Sequence, residues 1–309
     1  MTVAAIDLGS NTFRLLIARV QGDVPAVLLK RNGPVRLGCD LAAANGLAPG
    51  TITGALAVLA EFKADLKRYN VDCCRCCGTE ALRKAVNAKA FLDLAAEAIG
   101  AEIEVISGRE EALLSCRGAL TAMAGTAMAW PLLLIDVGGG STELIYISAP
   151  SAPPLSVSLP AGAAFFTELA STGGLQPAVA VFSTRLQEFI KKHSLATEKI
   201  TVIGLGGTAT SLAVLDQALD HYDEHKVHGR RLTVEGIGKI SADLTKMSAA
   251  ARNFLPGLEK GRGNILLAGL EIYQEILATI EVDGMIISDS GLLEGIMLSC
   301  LEQGSLLSL

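Results

Sequence analysis

The chain is poor in aromatic residues (4% of 309, with one tryptophan), in proline (ten) and in positive charge, with 26 lysines and arginines against 32 aspartates and glutamates for a net charge of −6. Each shortage excludes something. Without a basic excess or a long Lys/Arg run, the chain lacks the electrostatic footprint of a dedicated nucleic-acid binder, and small polyanions remain as charged ligands. The longest apolar run, Met128 to Ile135, falls well short of the ~20 residues that cross a bilayer, so no membrane partner is expected. The opening Thr2-Val3-Ala4-Ala5-Ile6-Asp7 shows no basic stretch, long apolar segment and cleavage site, and the reading is a cytoplasmic protein. The 32 glycines follow no G-X-Y period, which excludes a collagen-like chain. What is present is 50% hydrophobic residues over about twice the usual domain length, enough for two domains with a core each.

Four of the seven cysteines crowd into Cys73-Cys74-Arg75-Cys76-Cys77, a spacing that suggests a metal or redox site. The segment ends in Gly78-Thr79, however, the punctuation of a strand entering a helix. On a strand, neighbouring side chains point to opposite faces, so four thiols would not converge on one ion. Cysteine also serves as a small buriable hydrophobe, and a core strand in a reducing compartment is the better reading. His221, His225 and His228 would share a face on a continuous helix, but their surroundings are polar and loop-like, which weakens a zinc reading.

Comparing the chain with itself is more informative. Ile6-Asp7-Leu8-Gly9-Ser10-Asn11-Thr12-Phe13-Arg14-Leu15-Leu16-Ile17 aligns without a gap onto Ile135-Asp136-Val137-Gly138-Gly139-Gly140-Ser141-Thr142-Glu143-Leu144-Ile145-Tyr146, and Gly78-Thr79 aligns onto Gly207-Thr208 at the same offset. That offset is 136 − 7 = 207 − 78 = 129 residues. One Asp-x-Gly would be an ordinary turn; a second match at the same offset marks an internal duplication.

In the first copy the patterns predict a hairpin around Gly9, a strand near Ala26 to Lys30, a helix from Thr51 to Tyr69 and the cysteine strand. A helix from Ala88 to Ile99, a strand from Glu102 to Ile106 and a helix from Arg109 to Met123 follow. In the second, a hairpin from Leu132 to Ile147 leads to a proline-rich turn at Pro150, Pro153 and Pro154, a helix near Pro177 to His193, and strands Ile200 to Ile203 and Gly284 to Ser288. The last helix, Leu292 to Leu301, carries an apolar stripe that docks most economically on the first lobe. The predicted domains are therefore 1–125, completed by 291–309, and 126–290.

Two glycine-rich turns facing a common cleft would make a phosphate clamp, because glycine permits close backbone approach and consecutive N–H groups converge on an anion. Candidate phosphate-binding residues are Gly9, Ser10, Asn11 and Thr12 in the first turn and Gly138, Gly139, Gly140 and Ser141 in the second. Gly78 with Thr79, and Gly206, Gly207 with Thr208, open helices and add their N-termini. Neither a P-loop nor a G-x-G-x-x-G fingerprint is present. Asp136 and Glu143 flank the triple-glycine turn and offer hard oxygens to Mg²⁺ or another divalent cation such as Mn²⁺, with Asp7 a further candidate ligand. The position of Glu143 is held by Arg14 in the first copy, a cation able to meet phosphate. Ser107-Gly108-Arg109-Glu110-Glu111-Ala112 follows a strand and begins a helix; one of its glutamates is a candidate to activate water, though both also suit a helix start.

These motifs, with Gly78-Thr79-Glu80-Ala81-Leu82-Arg83, Gly204-Leu205-Gly206-Gly207-Thr208 and Val227-His228-Gly229, resemble in order and combination the exopolyphosphatase and guanosine pentaphosphate phosphohydrolase family, over nearly the whole chain and in its short, two-domain form. The resemblance implies an α/β fold of duplicated actin/Hsp70/sugar-kinase-like (ribonuclease H-like) lobes with a cleft between them. It also implies a catalytic base at Glu111, a divalent metal at Asp136 and Glu143, and Arg14 and Arg83 near phosphate. The implied activity is release of orthophosphate from the end of inorganic polyphosphate, with guanosine pentaphosphate a second target and a homodimer the candidate assembly. One departure is visible: the family's Arg-Ala-Asp is Arg262-Gly263-Asn264 here, and Asn264 is given no role. The alternatives are a small kinase or nucleotide hydrolase of the same fold, and a sensor that binds without turnover.

Overall fold

The computed structural model describes residues 1–21, 25–38, 46–126, 128–195 and 199–306; Cys39 and residues 307–309 of the expected first domain lie outside the described residues. The chain divides into two units, Met1–Gly118 with the segment from Gly291, and Ala119–Ser290. Among the described residues no helix is long and apolar enough to cross a membrane.

Unit 1 is built on β1 (Thr2–Leu8), β2 (Thr12–Arg19), β3 (Ala26–Pro34), β4 (Cys73–Gly78) and β5 (Ile103–Val105), in the order β3-β2-β1-β4-β5. The β1–β2 and β2–β3 pairs are antiparallel, and β4 pairs in parallel with both β1 and β5. Its helices are α1 (Pro49–Arg68), α2 (Glu80–Lys84), α3 (Ala88–Ile99) and α4 (Gly108–Ala122). All seven residues of β1 are buried because the strand alternates between two cores. Ala4, Ile6 and Leu8 pack with Leu59, Phe62 and Phe91 of α1 and α3, while Val3 and Ala5 share a second cluster with Leu114 of α4. The cysteine strand obeys the same alternation: Cys74 and Cys76 belong to the first cluster, Cys73 and Cys77 to the second.

Unit 2 contains β6 (Leu132–Val137), β7 (Thr142–Ile147), β8 (Leu155–Leu159), α5 (Ala163–Thr172), α6 (Leu175–Lys192), β9 (Thr201–Leu205), α7 (Gly206–Asp216) and α8 (Glu224–Val227). These are followed by β10 (Arg231–Thr233), α9 (Val234–Lys246), α10 (Ala249–Arg252), α11 (Leu266–Thr279) and β11 (Gly284–Ile287). Its sheet runs β10-β11-β9-β6-β7-β8. Read from β8, the order and directions repeat those of unit 1, with β10 added antiparallel beyond the last strand. This is the duplicated α/β plan of the actin-like fold class. The final helix, α12 (Leu292–Leu306), buries Leu292, Leu293, Ile296, Met297 and Cys300 in the second core of unit 1.

The turn expected at Pro150 to Pro154 is followed by a strand and a helix, β8 and α5, that the sequence patterns did not show. β8 is an edge strand whose Leu155-Ser156-Val157-Ser158-Leu159 alternation is only five residues long and directly follows the prolines, and the apolar run of α5 is short.

Candidate active site

In each unit the first hairpin carries its chemistry on a pair of facing residues. In unit 1 the ladder sets Asp7 opposite Arg14, and Arg14 Nε and Nη2 reach Asp7 Oδ2 at 2.7 and 2.5 Å. Asp7 is 1% exposed, and its other oxygen, Oδ1, is buried with no hydrogen-bond partner. In unit 2 the matching ladder position sets Asp136 opposite Glu143. Two carboxylates thus stand where unit 1 has an ion pair. Glu143 is 4% exposed, and its Oε1 accepts hydrogen bonds from Ser141 Oγ at 2.8 Å and Ser158 Oγ at 2.7 Å. Ser158 lies opposite Glu143 on the next strand, so Asp136, Glu143 and Ser158 form one row across β6, β7 and β8.

The triple-glycine turn is held by its carbonyls. Gly138 O accepts from Ala163 N, and Gly139 O accepts from Ala164 N and Phe165 N, all at 2.9 Å, so the first turn of α5 finds its partners in the loop. A side chain at Gly162 would come within 2.4 Å of Gly139 and Gly140, which explains a glycine before α5. In unit 1 the corresponding turn is braced by the chain after β3: Asn11 O accepts from Val35 N and Arg36 N, and Ser10 O from Gly38 N. Asn11 Nδ2 donates to Thr12 Oγ1 at 3.2 Å, and a Cβ on Gly9 would meet Thr12 O at 2.9 Å.

The two strand-to-helix junctions repeat a hydrogen bond at the offset found in the sequence. Thr79 Oγ1 donates to Leu8 O at 3.4 Å, and Thr208 Oγ1 to Val137 O at 3.3 Å. Both threonines are buried, so their hydroxyls pin the helix start to the end of the first strand. What these junctions can offer an anion is backbone. They are unequal: Gly78-Thr79 opens a helix of only five residues, whereas Gly206-Gly207-Thr208 opens one of eleven. Gly206 has φ +76°, and a Cβ there would lie 2.4 Å from Asp136 Oδ1, placing that carboxylate against the positive end of α7. The Arg262 guanidinium lies over Gly207, where a Cβ would come within 2.4 Å of its Nη2, and pairs with Glu259 at 2.9 Å.

The glutamate pair is separated by partner. Ser107 Oγ accepts from Glu110 N at 3.2 Å and caps α4. Glu110 Oε1 takes a 2.7 Å hydrogen bond from Arg75, while Glu111 Oε2 takes one of 2.8 Å from Arg83 Nη1, which also donates to Ile106 O at 2.9 Å. Glu110 is therefore engaged by Arg75, and Glu111, 13% exposed, is an oriented carboxylate in a partly enclosed setting. Each of the two arginines expected at phosphate, Arg14 and Arg83, has a carboxylate partner. The sequence reading missed Ser158, Gly162 and Arg75. Ser158 falls on Leu29 at the repeat offset and so was unmarked, Gly162 matches only the isolated Gly33 there, and Arg75 was hidden within the cysteine run.

Among the described residues no group of three or more His, Cys, Asp or Glu is placed to hold a metal ion. The thiols are structural in character: burial raises Cys74, Cys77 and Cys300 to about 12, Cys116 to about 11, and Cys76 well above its ordinary value. His225 lies within the four-residue α8, and the ring nitrogen Nδ1 of His228 accepts from Asp289 N at 3.3 Å. Beneath β6 and β9, the buried Tyr273 hydroxyl lies 2.9 Å from Ile135 O and from Leu205 O, tying the two strands together next to Asp136 and Gly206.

The family described as the Ppx/GppA phosphatase family matches residues 16–304. Exopolyphosphatase 2 of Mycobacterium tuberculosis is 30% identical, covering 96% of this chain and 98% of that protein. A guanosine-5'-triphosphate,3'-diphosphate pyrophosphatase of Vibrio atlanticus is 29% identical over 97% of this chain but only 59% of its own length. Among solved structures, an exopolyphosphatase-like protein aligns with a TM-score of 0.86 at 30% identity, covering 96% of this chain and 97% of that one. The Aquifex aeolicus member of the same family aligns with 0.75 at 30% identity, over 98% of each chain.

Proposed function

Because the chain belongs to the Ppx/GppA phosphatase family, we propose that it hydrolyses the terminal phosphoanhydride of inorganic polyphosphate, and the corresponding bond of guanosine pentaphosphate, in the cytoplasm. The observation that carries this reading is Glu111, a carboxylate fixed on the first turn of α4 by Arg83. Its carboxylate is the group we assign to a water molecule. Water attacks the terminal phosphorus in line, its proton passes to Glu111, and the bridging P–O bond breaks to leave orthophosphate and a chain shorter by one unit. Backbone N–H groups of Gly9 to Thr12 and Gly138 to Ser141, and those opening α7, are the proposed phosphate contacts. Arg14 and Arg83 are the proposed cationic contacts, each already paired with a carboxylate.

Asp136 and Glu143 suit a divalent cation by the chemistry of their donors. Two facing carboxylates, one nearly buried and fixed by two hydroxyls, match the small all-oxygen donor set that Mg²⁺ takes when water and phosphate complete its shell. Such an ion would neutralise charge on the phosphoryl oxygens. Asp7 fits this role less well, since Arg14 already supplies its counter-charge.

The test is phosphate release from long polyphosphate, short polyphosphate, guanosine pentaphosphate and ATP, with and without Mg²⁺. Glu111→Gln is expected to lower the rate by ~10²–10⁴, the usual effect of removing a positioned base; wild-type release from that variant would overturn the assignment. Preference for ATP would point to a nucleotide hydrolase or kinase, and binding without release to a sensor.

A further inference from the structure

Arg75 is the one charged residue of β4, and it is only 8% exposed. Its guanidinium joins four elements. Nη2 donates to Glu104 Oε2 of β5 at 2.8 Å and to Glu110 Oε1 of α4 at 2.7 Å, Nε lies 3.3 Å from both Glu104 oxygens, and Nη1 donates to Ser299 Oγ of α12 at 2.9 Å. Ser299 Oγ in turn donates to Ile296 O at 2.6 Å, so the anchor is itself fixed.

A buried charge paired with half-exposed carboxylates is a poor stabiliser, because desolvation offsets much of the attraction. Its geometry suggests a different use. Successive residues on a helix are rotated by about 100°, given 3.6 residues per turn. Fixing Glu110 therefore fixes the rotation of the first turn of α4, and with it the direction of the next side chain, Glu111. Two arginines grip adjacent residues of that turn: Arg75 holds Glu110, and Arg83 holds Glu111. The depth of α4 is set from its far side, where a Cβ on Gly118 would lie 2.0 Å from Gly291 O and one on Gly295 1.9 Å from Leu114 O, so that α4 meets α12 and the chain before it backbone to backbone.

We infer that Arg75 is a positioning residue for Glu111, setting the rotation of α4 through Glu110 and anchored to the C-terminal helix by Ser299. The inference rests on the reading of Glu111 as the base.

Epistasis tests it. Arg75→Lys keeps the charge but loses the planar fork that reaches three partners at once. It should lower kcat for phosphate release by about 10-fold with KM changed less than about twofold, since a misdirected base affects the chemical step more than binding. In a Glu111→Gln background the same substitution should have no further effect on kcat, because the group it directs is gone. An unchanged kcat in Arg75→Lys, or an equal loss in both backgrounds, would overturn the positioning role and leave Arg75 as a general structural element. Wild-type release by Glu111→Gln alone is a separate outcome that removes the base assignment itself. If Arg75→Lys fails to fold, Glu110→Gln, on the half-exposed partner, is expected to show the same pattern and is judged by the same two outcomes.

Discussion

Ser141 and Ser158 donate to the same oxygen of Glu143, from the turn and from a neighbouring strand. Two hydroxyls on one oxygen fix the carboxylate plane, and partners of this kind typically change metal affinity by 10- to 100-fold. Ser158→Ala should therefore raise the Mg²⁺ concentration needed for half-maximal phosphate release by about 10-fold, while the thermal midpoint stays nearly unchanged. A cation titration of the purified variant checks this. The two ends of this contact were not equally legible in the sequence. Glu143 stands out because the duplication sets it against Arg14. Ser158 is one serine in Leu155–Leu159, and only the β7–β8 register brings it to Glu143. For the same reason, Glu110 and Glu111 look alike as neighbours in sequence and are told apart only by Arg75 and Arg83.

Helices α4 and α12 pack without side chains between them at Gly118 and Gly295. Gly295→Ala would place a methyl group 1.9 Å from the Leu114 carbonyl, which neither backbone can yield without shifting. Overpacking of this kind costs about 1–3 kcal/mol, and denaturant unfolding of Gly295→Ala should show a loss in that range. An unchanged midpoint would mean that the helices separate easily. The apolar stripe of α12 is plain in the sequence; the glycine contact is not, because glycine within a helix reads only as a weak helix former. Other elements escaped as well. α11 buries Leu266, Leu270, Tyr273 and Leu277 on one stripe and exposes Glu271 and Glu275, but its first turn contains Gly269, a weak helix former. α9 begins with a Thr233 cap but has glycines at 236 and 238, which resemble loop punctuation.

Over the whole molecule, the buried thiols make stability depend on alkaline pH. Cys74, Cys77 and Cys300 move from an ordinary 9.0 to about 12 on burial, so the folded state keeps protons that the unfolded state releases. Their contribution is complete below pH 9 and is lost as the pH rises toward 12. Urea midpoints measured on either side of pH 9 should fall on the alkaline side, and less steeply for a Cys77→Ala, Cys300→Ala double variant than for the wild type. An equal slope would assign the fall to other groups. The duplicated strand order, the hairpin carboxylates and the alternation of the cysteine strand were all readable at this scale, because repetition and period are properties of sequence. Contacts such as Arg75 with Ser299, far apart in the chain, were not.

The hairpins of the two units hold their charge differently. Asp7 has its cation covalently supplied in Arg14, a permanent part of the chain, while the matching position of unit 2 sets a second carboxylate, Glu143, against Asp136. If that pair holds a divalent ion, as proposed, the supply of free cations, rather than any change in the polypeptide, governs the half of the molecule that carries it.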